Sequence, residues 1–245
     1  FRPTIDGRVW DMAMTADNKL IIAGDFTSVN GAPNTQGMAA LDPTTGEVIT
    51  TWKARAYRAD GSRSFVRALG VHNGVVYAAG NFNRLEGGTW APITVTNAVA
   101  VTAANGNPSA WRPRPNGSVV RIEVTNDGSR VLMAGYFSNV NGDTNQGYFA
   151  ITDAATGNPS AGIGAWTPSA GTVNKYQQAV EDLGDGRILV GGSEHDFQLW
   201  NADRTQLIDS TITKQGGDTQ AIEAIDGKVY MGCHCGDWVY EGTNK

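Results

Sequence analysis

The two cysteines of this 245-residue chain flank a histidine, in Cys233-His234-Cys235. Three chemistries are open to such a triplet: a disulfide, a pair of free buried thiols, or part of a tetrahedral thiolate and imidazole metal site. In the metal case Cys233 and Cys235 would draw on His195 from the preceding repeat. On a strand, alternation sends the two sulfurs to one face and His234 to the other, which argues against one ion taking all three and against a Cys–His catalytic pair. The disulfide predicts an oxidising compartment, although a ring this small constrains little of the unfolded chain.

Carboxylates form the second group. Asp182, Asp185, Glu194 and Asp196 lie close in sequence, followed by Glu223, Asp226 and Asp237. Two carboxylates across a groove can hydrolyse a glycoside, one as acid and one as base or nucleophile. Most of these, however, fall in turns, where Asp is favoured for local hydrogen bonding. The chain has no Ser-His-Asp order, phosphate-cradling loop or metalloprotease motif. No catalytic residue and no cofactor is assigned.

The third group is made of amides and an aromatic. Two near-copy loops, Asn30 to Gly37 and Asn141 to Gly147, carry Asn34, Gln36, Asn145 and Gln146, and the longer equivalent loop between them carries Trp90. Amides beside an exposed indole bind sugars by hydrogen bonds and stacking, so these five residues are the candidate ligand-binding set. The bland alternative is that the amides satisfy loop backbone and Trp90 packs.

All three groups hang on one repeated element. A hydrophobic strand runs into glycine, usually followed by a polar residue and Phe, as in Ile21-Ile22-Ala23-Gly24-Asp25-Phe26, Tyr77-Ala78-Ala79-Gly80-Asn81-Phe82 and Leu132-Met133-Ala134-Gly135-Tyr136-Phe137. Degenerate copies end at Gly192 and Cys233, and the five aligned positions are 56, 55, 57 and 41 residues apart. Each copy is preceded by a short strand and a tight turn and followed by a third strand and a second turn. A fourth strand ends near Trp52, Trp111 or Trp166. Four antiparallel strands at this period predict an all-β propeller, because one small sheet cannot bury both faces without neighbours. The glycine is expected to admit a bulge or a close approach between blades, and the Phe and Trp residues to pack between blades.

Five units are expected, over about 4–56, 57–115, 116–170, 171–215 and 216–245, with Phe1-Arg2-Pro3 as the last strand of a blade and Trp238 to Thr243 as the third strand of the fifth unit. Phe1 is not Met and both ends fall within a repeat, which reads as a processed protein or an excised piece, either five blades closed by pairing the two ends or, the preferred expectation, an arc of a six- to eight-bladed ring. The formal charge of -5 argues against a nucleic-acid partner. No apolar run reaches the roughly 18 residues of a membrane helix.

The pattern Ala23-Gly24-Asp25-Phe26-Thr27-Ser28-Val29-Asn30-Gly31, then Ala39-Ala40-Leu41-Asp42-Pro43-Thr44-Thr45-Gly46, resembles the delta-60 type propeller repeats of secreted and surface proteins, mainly actinobacterial. Asp185-Gly186-Arg187-Ile188-Leu189-Val190-Gly191-Gly192 is similar to another form of that repeat. The resemblance implies an extracellular or cell-surface module. Ala40-Leu41-Asp42-Pro43-Thr44-Thr45-Gly46 with Trp52 is also similar to the tryptophan-docking motif of quinoprotein propellers, but the interval to Trp52 is longer here. Those enzymes carry adjacent cysteines at the cofactor, where this chain has Cys233-His234-Cys235.

Together these readings predict a non-catalytic extracellular or surface-exposed scaffold that binds a glycan or a protein. The alternatives are a structural component of a larger assembly, such as a phage tail or surface appendage, and a secreted glycan-active hydrolase or lyase. An exposed Trp90 beside the loop amides would favour the glycan binder. Two carboxylates in one cleft with shifted pKa values would favour the enzyme.

Overall fold

The computed structural model describes residues 1–88, 90–166, 175–193, 196–213, 217–235 and 240–242. In chain order the strands are β1 (Val9–Met14), β2 (Leu20–Gly24), β3 (Met38–Leu41), β4 (Arg55–Tyr57), β5 (Phe65–His72), β6 (Val75–Asn81), β7 (Arg84–Gly87), β8 (Trp90–Thr94), β9 (Ala98–Thr102) and β10 (Val119–Val124). They continue with β11 (Arg130–Gly135), β12 (Phe149–Asp153), β13 (Gln177–Asp182), β14 (Arg187–Gly192), β15 (Asp196–Asn201), β16 (Leu207–Thr213), β17 (Thr219–Ile225), β18 (Lys228–Cys233) and β19 (Tyr240–Gly242). The fold is an all-β propeller built from repeated antiparallel meanders. Blades 1 to 3 are β1-β2-β3, β5-β6-β9 and β10-β11-β12; blade 4 contains β13-β14-β15-β16, and blade 5 contains β17-β18.

The fourth strand is complete only in blade 4 among the described residues. In the first three blades it shrinks to single bridges, Leu41 to Val48, Val101 to Pro108 and Thr152 to Pro159. Proline in two of these pairs removes a ladder donor, so the segment touches the third strand and then turns away. Phe1–Pro3, expected as a closing strand, joins no ladder. Arg2 and Pro3 press against the Gly46 turn, as Arg112 and Pro113 press against the Gly157 turn two blades on. At the other end, β19 pairs with β16 of blade 4 rather than extending blade 5, contrary to the sequence expectation. No ladder joins blade 1 to blade 5 among the described residues.

The motif glycines serve a bulge within their own blade, not an approach between blades. A Cβ on Gly24, Gly80, Gly135 or Gly192 would meet the carbonyl oxygen of Arg8, Phe65, Ser118 or Tyr176 at 2.0, 2.1, 2.3 and 2.5 Å. Opposite each glycine the inner strand slips register, between Val9 and Asp11, Val66 and Ala68, Val119 and Arg121, and Gln177 and Ala179. Blade 5 repeats the slip between Thr219 and Ala221, where Cys233 stands in the glycine position. The following residues Phe26, Phe82 and Phe137 are fully buried, each in a hydrophobic cluster.

Tryptophans join the blades. Trp52 Nε1 donates to the Thr102 carbonyl at 3.2 Å, Trp111 Nε1 to Thr152 Oγ1 at 3.3 Å, and Trp166 Nε1 to Gln198 Oε1 at 2.9 Å. Each indole closes one unit and docks on the third strand of the next, burying a large apolar surface with its N–H satisfied. A second tie is Arg204, 1% exposed, whose guanidinium donates to the carbonyls of Gly164, Asn145 and Phe149 and to Gln146 Oε1. The terminal blades keep apolar side chains at the surface, Met12 and Met14 on β1 and Ile225, Val229 and Tyr230 on blade 5.

Candidate functional site

A bulge inserts one residue that has no partner across the ladder and re-aims its side chain. Here the inserted residues are Trp10, Arg67, Val120, Gln178 and Gln220, one from each inner strand. All five line a single cavity of about 170 Å³, together with Asp11, Ala68 and Arg121. The five inner strands thus converge on one axis, and the bulge decides which side chain each presents there.

The electrostatics of this layer are cationic and aromatic. Trp10, 37% exposed, has the Arg8 guanidinium 4.8 Å and the Arg67 guanidinium 4.7 Å from its ring centroid. Asp25 anchors the outer part, accepting from Arg8 at 2.8 Å and from Arg63 at 2.9 Å. Burial opposes the Asp25 charge, but the Arg8 backbone N–H and the two guanidiniums outweigh it and hold its pKa at about 2. Beside Gln178, Tyr176 Oη and the Gln178 Nε2 amide both donate to Asp218 Oδ2 at 2.8 Å, and the Tyr176 ring stacks on Tyr136 at 4.5 Å. Burial and the Asp218 hydrogen bond push the Tyr176 phenol up to about 12. Asp11 accepts from the backbone N–H of Leu69 on the next blade at 2.8 Å, and its pKa is raised by desolvation.

Further along the same strands lies an acidic layer. Glu123, Glu181 and Glu223 pair across their hairpins with Leu132, Leu189 and Tyr230, each three residues before the motif position. They are therefore equivalent residues on adjacent inner strands; Ala13 and Gly70 occupy the position in blades 1 and 2. All three line one cavity of about 450 Å³. Arg121 Nη2 stands 3.7 Å from Glu123 and 3.5 Å from Glu223. Glu181 Oε1 accepts from the Ala224 backbone N–H at 2.9 Å, while its Oε2 is buried with no partner. Desolvation and the Glu181 charge push the Glu123 carboxyl up to about 8, and burial raises Glu181 as well.

Of the carboxylates singled out from sequence, Asp182, Asp185, Glu223 and Asp226 line this second cavity. Asp182 accepts from the Asn126 backbone N–H, and Asp185 pairs with Arg187. Glu194, His195 and Asp237 lie outside the described residues. Sequence reading missed Glu123 and Glu181; strand pairing, which aligns them with Glu223, was the signal that finds them.

The expected ligand set is dispersed. Trp90 is half-buried on the small sheet β4-β7-β8, packed against the core with its ring over Gly87. Among the described residues no hydrogen bond joins it to the loop amides. Asn34 is half-buried in a left-handed conformation at φ 60°, and the Gln36 carbonyl accepts from Ala56 N–H. Asn145 is exposed. Gln146 is a correction to the sequence reading: it is 1% exposed, and its amide oxygen accepts from Ile151 N–H and from Arg204. A buried amide spent on backbone and a buried guanidinium offers nothing to an outside ligand.

Cys233 and Cys235 stand at disulfide distance, with Cα atoms 5.2 Å apart and His234 exposed between them. Among the described residues no three His, Cys, Asp or Glu side chains are arranged to hold a metal ion, and no helix is long and apolar enough to cross a membrane.

Comparison with known proteins agrees with this architecture. The family described as a domain of unknown function (DUF5122) beta-propeller matches residues 15–36. No curated protein matches the chain. Among solved structures, the β-propeller domain of Myceliophteria thermophila Cps50 (Swd1) superposes with a TM-score of 0.60 at 10% identity, covering 95% of this chain and 65% of that one. A chain of a mitotic checkpoint complex gives 0.61 at 12% identity over 93% and 60%. The computationally designed Ika8 protein gives 0.54 at 11% identity over 91% and 54%. At these identities the likeness establishes the propeller fold. The chain spans just over half to about two-thirds of the length of those structures.

Proposed function

We propose that the protein is a non-catalytic, extracellular or cell-surface β-propeller scaffold that binds a protein or glycan partner at the axial layer of bulge residues. The observation that carries this reading is that five structurally equivalent insertions bring the Trp10 indole, the Arg67 guanidinium 4.7 Å from its ring centroid and the amides of Gln178 and Gln220 to one cavity. Such a mixture offers an apolar face and fixed donors, the ordinary equipment of a recognition site. The disulfide-distance placement of Cys233 and Cys235 supports the reading of an oxidising compartment. Of the amides expected to meet a glycan, Asn145 is the exposed one and is a second proposed contact point.

The test is intrinsic fluorescence of the protein titrated with arrayed oligosaccharides and peptides. A ligand that shifts the emission of the wild type and loses affinity in both Trp10→Ala and Gln220→Ala, with circular dichroism unchanged, supports the reading. The hydrolase or lyase alternative draws on one observation, the raised pKa values of Glu123 and Glu181 in a shared cavity. New reducing ends released from a polysaccharide, and lost in Glu181→Gln, would establish that alternative instead.

A further inference from the structure

We infer that the acidic layer receives one basic side chain, an arginine guanidinium, presented by a protein partner. The inference rests on the binding-scaffold reading and names the chemistry of the partner. Its first support is the equivalence of Glu123, Glu181 and Glu223, which stack carboxylates of three adjacent blades along one cavity wall. The second is independent: Glu181 is only 6% exposed, yet Oε2 has no hydrogen-bond partner. A buried carboxylate oxygen without a donor is costly and is normally satisfied by protein, water or ligand.

The geometry selects the kind of cation. A hard metal ion draws several oxygens to within about 2.6 Å of one point, and no three acidic side chains among the described residues are placed to do so. A guanidinium instead spreads five donors over a rigid plane and can bridge carboxylates that stand apart. The chain's own Arg121 already does this at longer range, reaching Glu123 at 3.7 Å and Glu223 at 3.5 Å, and leaves Glu181 Oε2 unserved. Two other cations line the cavity. Arg187 is committed to Asp185 across the outer hairpin. Lys228, exposed on the hairpin of blade 5, pairs with no acid among the described residues.

The experiment titrates the whole chain with a Gly/Ser decapeptide bearing one central arginine and with the same peptide carrying citrulline, which keeps the shape and loses the charge. Binding is read by calorimetry and by backbone NMR shifts on β13 and β17. The expected result is arginine-peptide affinity at least about ten-fold above that of the citrulline peptide, the scale of one lost charge-assisted hydrogen bond. That preference should vanish in Glu181→Gln and weaken in the exposed Glu223→Gln. Equal affinity for both peptides, a preference unchanged in both variants, or shifts caused by calcium chloride and not by peptide would each overturn the inference. Loss of the inference leaves the axial reading standing if ligands still act through Trp10 and Gln220; loss of both responses removes the two together.

Discussion

Glu123 and Glu181 occupy equivalent positions on neighbouring inner strands and face one cavity, so the Glu181 carboxylate raises the cost of ionising Glu123, as Glu223 does for both. Adjacent blades of a propeller repeat the same geometry, and a residue repeated at an inner position meets its own copy. The usual preference for opposite charges across a contact is reversed here, offset by Arg121 and, at Glu181, by the Ala224 backbone N–H.

That pairing makes stability depend on pH. The Glu123 carboxyl sits at about 8 in the folded protein against an ordinary value of 4.5. The native state therefore holds a proton that the unfolded chain releases between those values. Its stabilising contribution is complete below the unfolded pKa and is lost as pH rises through about 8. Urea midpoints of the wild type should fall between pH 6 and 9, whereas Glu123→Gln, uncharged throughout, should flatten that slope. An unchanged slope in the variant would show that Glu123 titrates normally.

Trp111 tests the joint between blades. Its ring is buried at 1% exposure, lies edge-on to Tyr77 at 5.1 Å and donates to Thr152 Oγ1. Trp111→Ala should cost about 3–5 kcal/mol in chemical denaturation. Trp111→Phe should cost less, because most of the apolar contact survives and the indole hydrogen bond goes.

Gly135 tests the bulge. Its added Cβ would lie 2.3 Å from the Ser118 carbonyl and 2.9 Å from Val119 Cα, both backbone atoms that cannot swing aside. Gly135→Ala should destabilise by about 1–3 kcal/mol and move the amide resonances of Val119 to Arg121, where the register slips. A neutral substitution with unmoved resonances would mean that the glycine does not shape the bulge.

Arg204 tests a buried charge used as a bracket. Desolvation lowers its pKa to about 10, still leaving it charged at neutral pH, and its donors satisfy carbonyls of Gly164, Asn145 and Phe149. Arg204→Met keeps much of the volume but strands those acceptors, at about 1–3 kcal/mol each when left unsatisfied. A melting temperature within a degree or two of wild type would show that water replaces the guanidinium.

Much of this architecture was legible in the chain because it is built from local rules repeated in sequence. Gly24, Gly80, Gly135 and Gly192 sit where a Cβ would strike backbone, the following Phe residues fill the cores, and Trp52, Trp111 and Trp166 close the units. Spacing alone carries that information. The same repetition misled at the margins: Phe1–Pro3 copies the segment after Trp111 but neither forms a strand, and β19 crosses to blade 4. Strand pairing is a competition between edges, which a linear motif does not encode.

The sites were hidden for a different reason. Trp10, Arg67, Val120, Gln178 and Gln220 have only their two glutamines alike, and they become one layer only because a register slip pushes each out of its ladder toward the axis. Glu123, Glu181 and Glu223 do share a type, but the hairpin between each and its motif position shortens by one residue from blade to blade, which conceals their alignment. By itself the sequence determined the repeat, the propeller and the packing residues, since these depend on local sterics and apolar burial. Tertiary structure alone decided which side chains reach the axis, because that depends on how separate strands pair and converge.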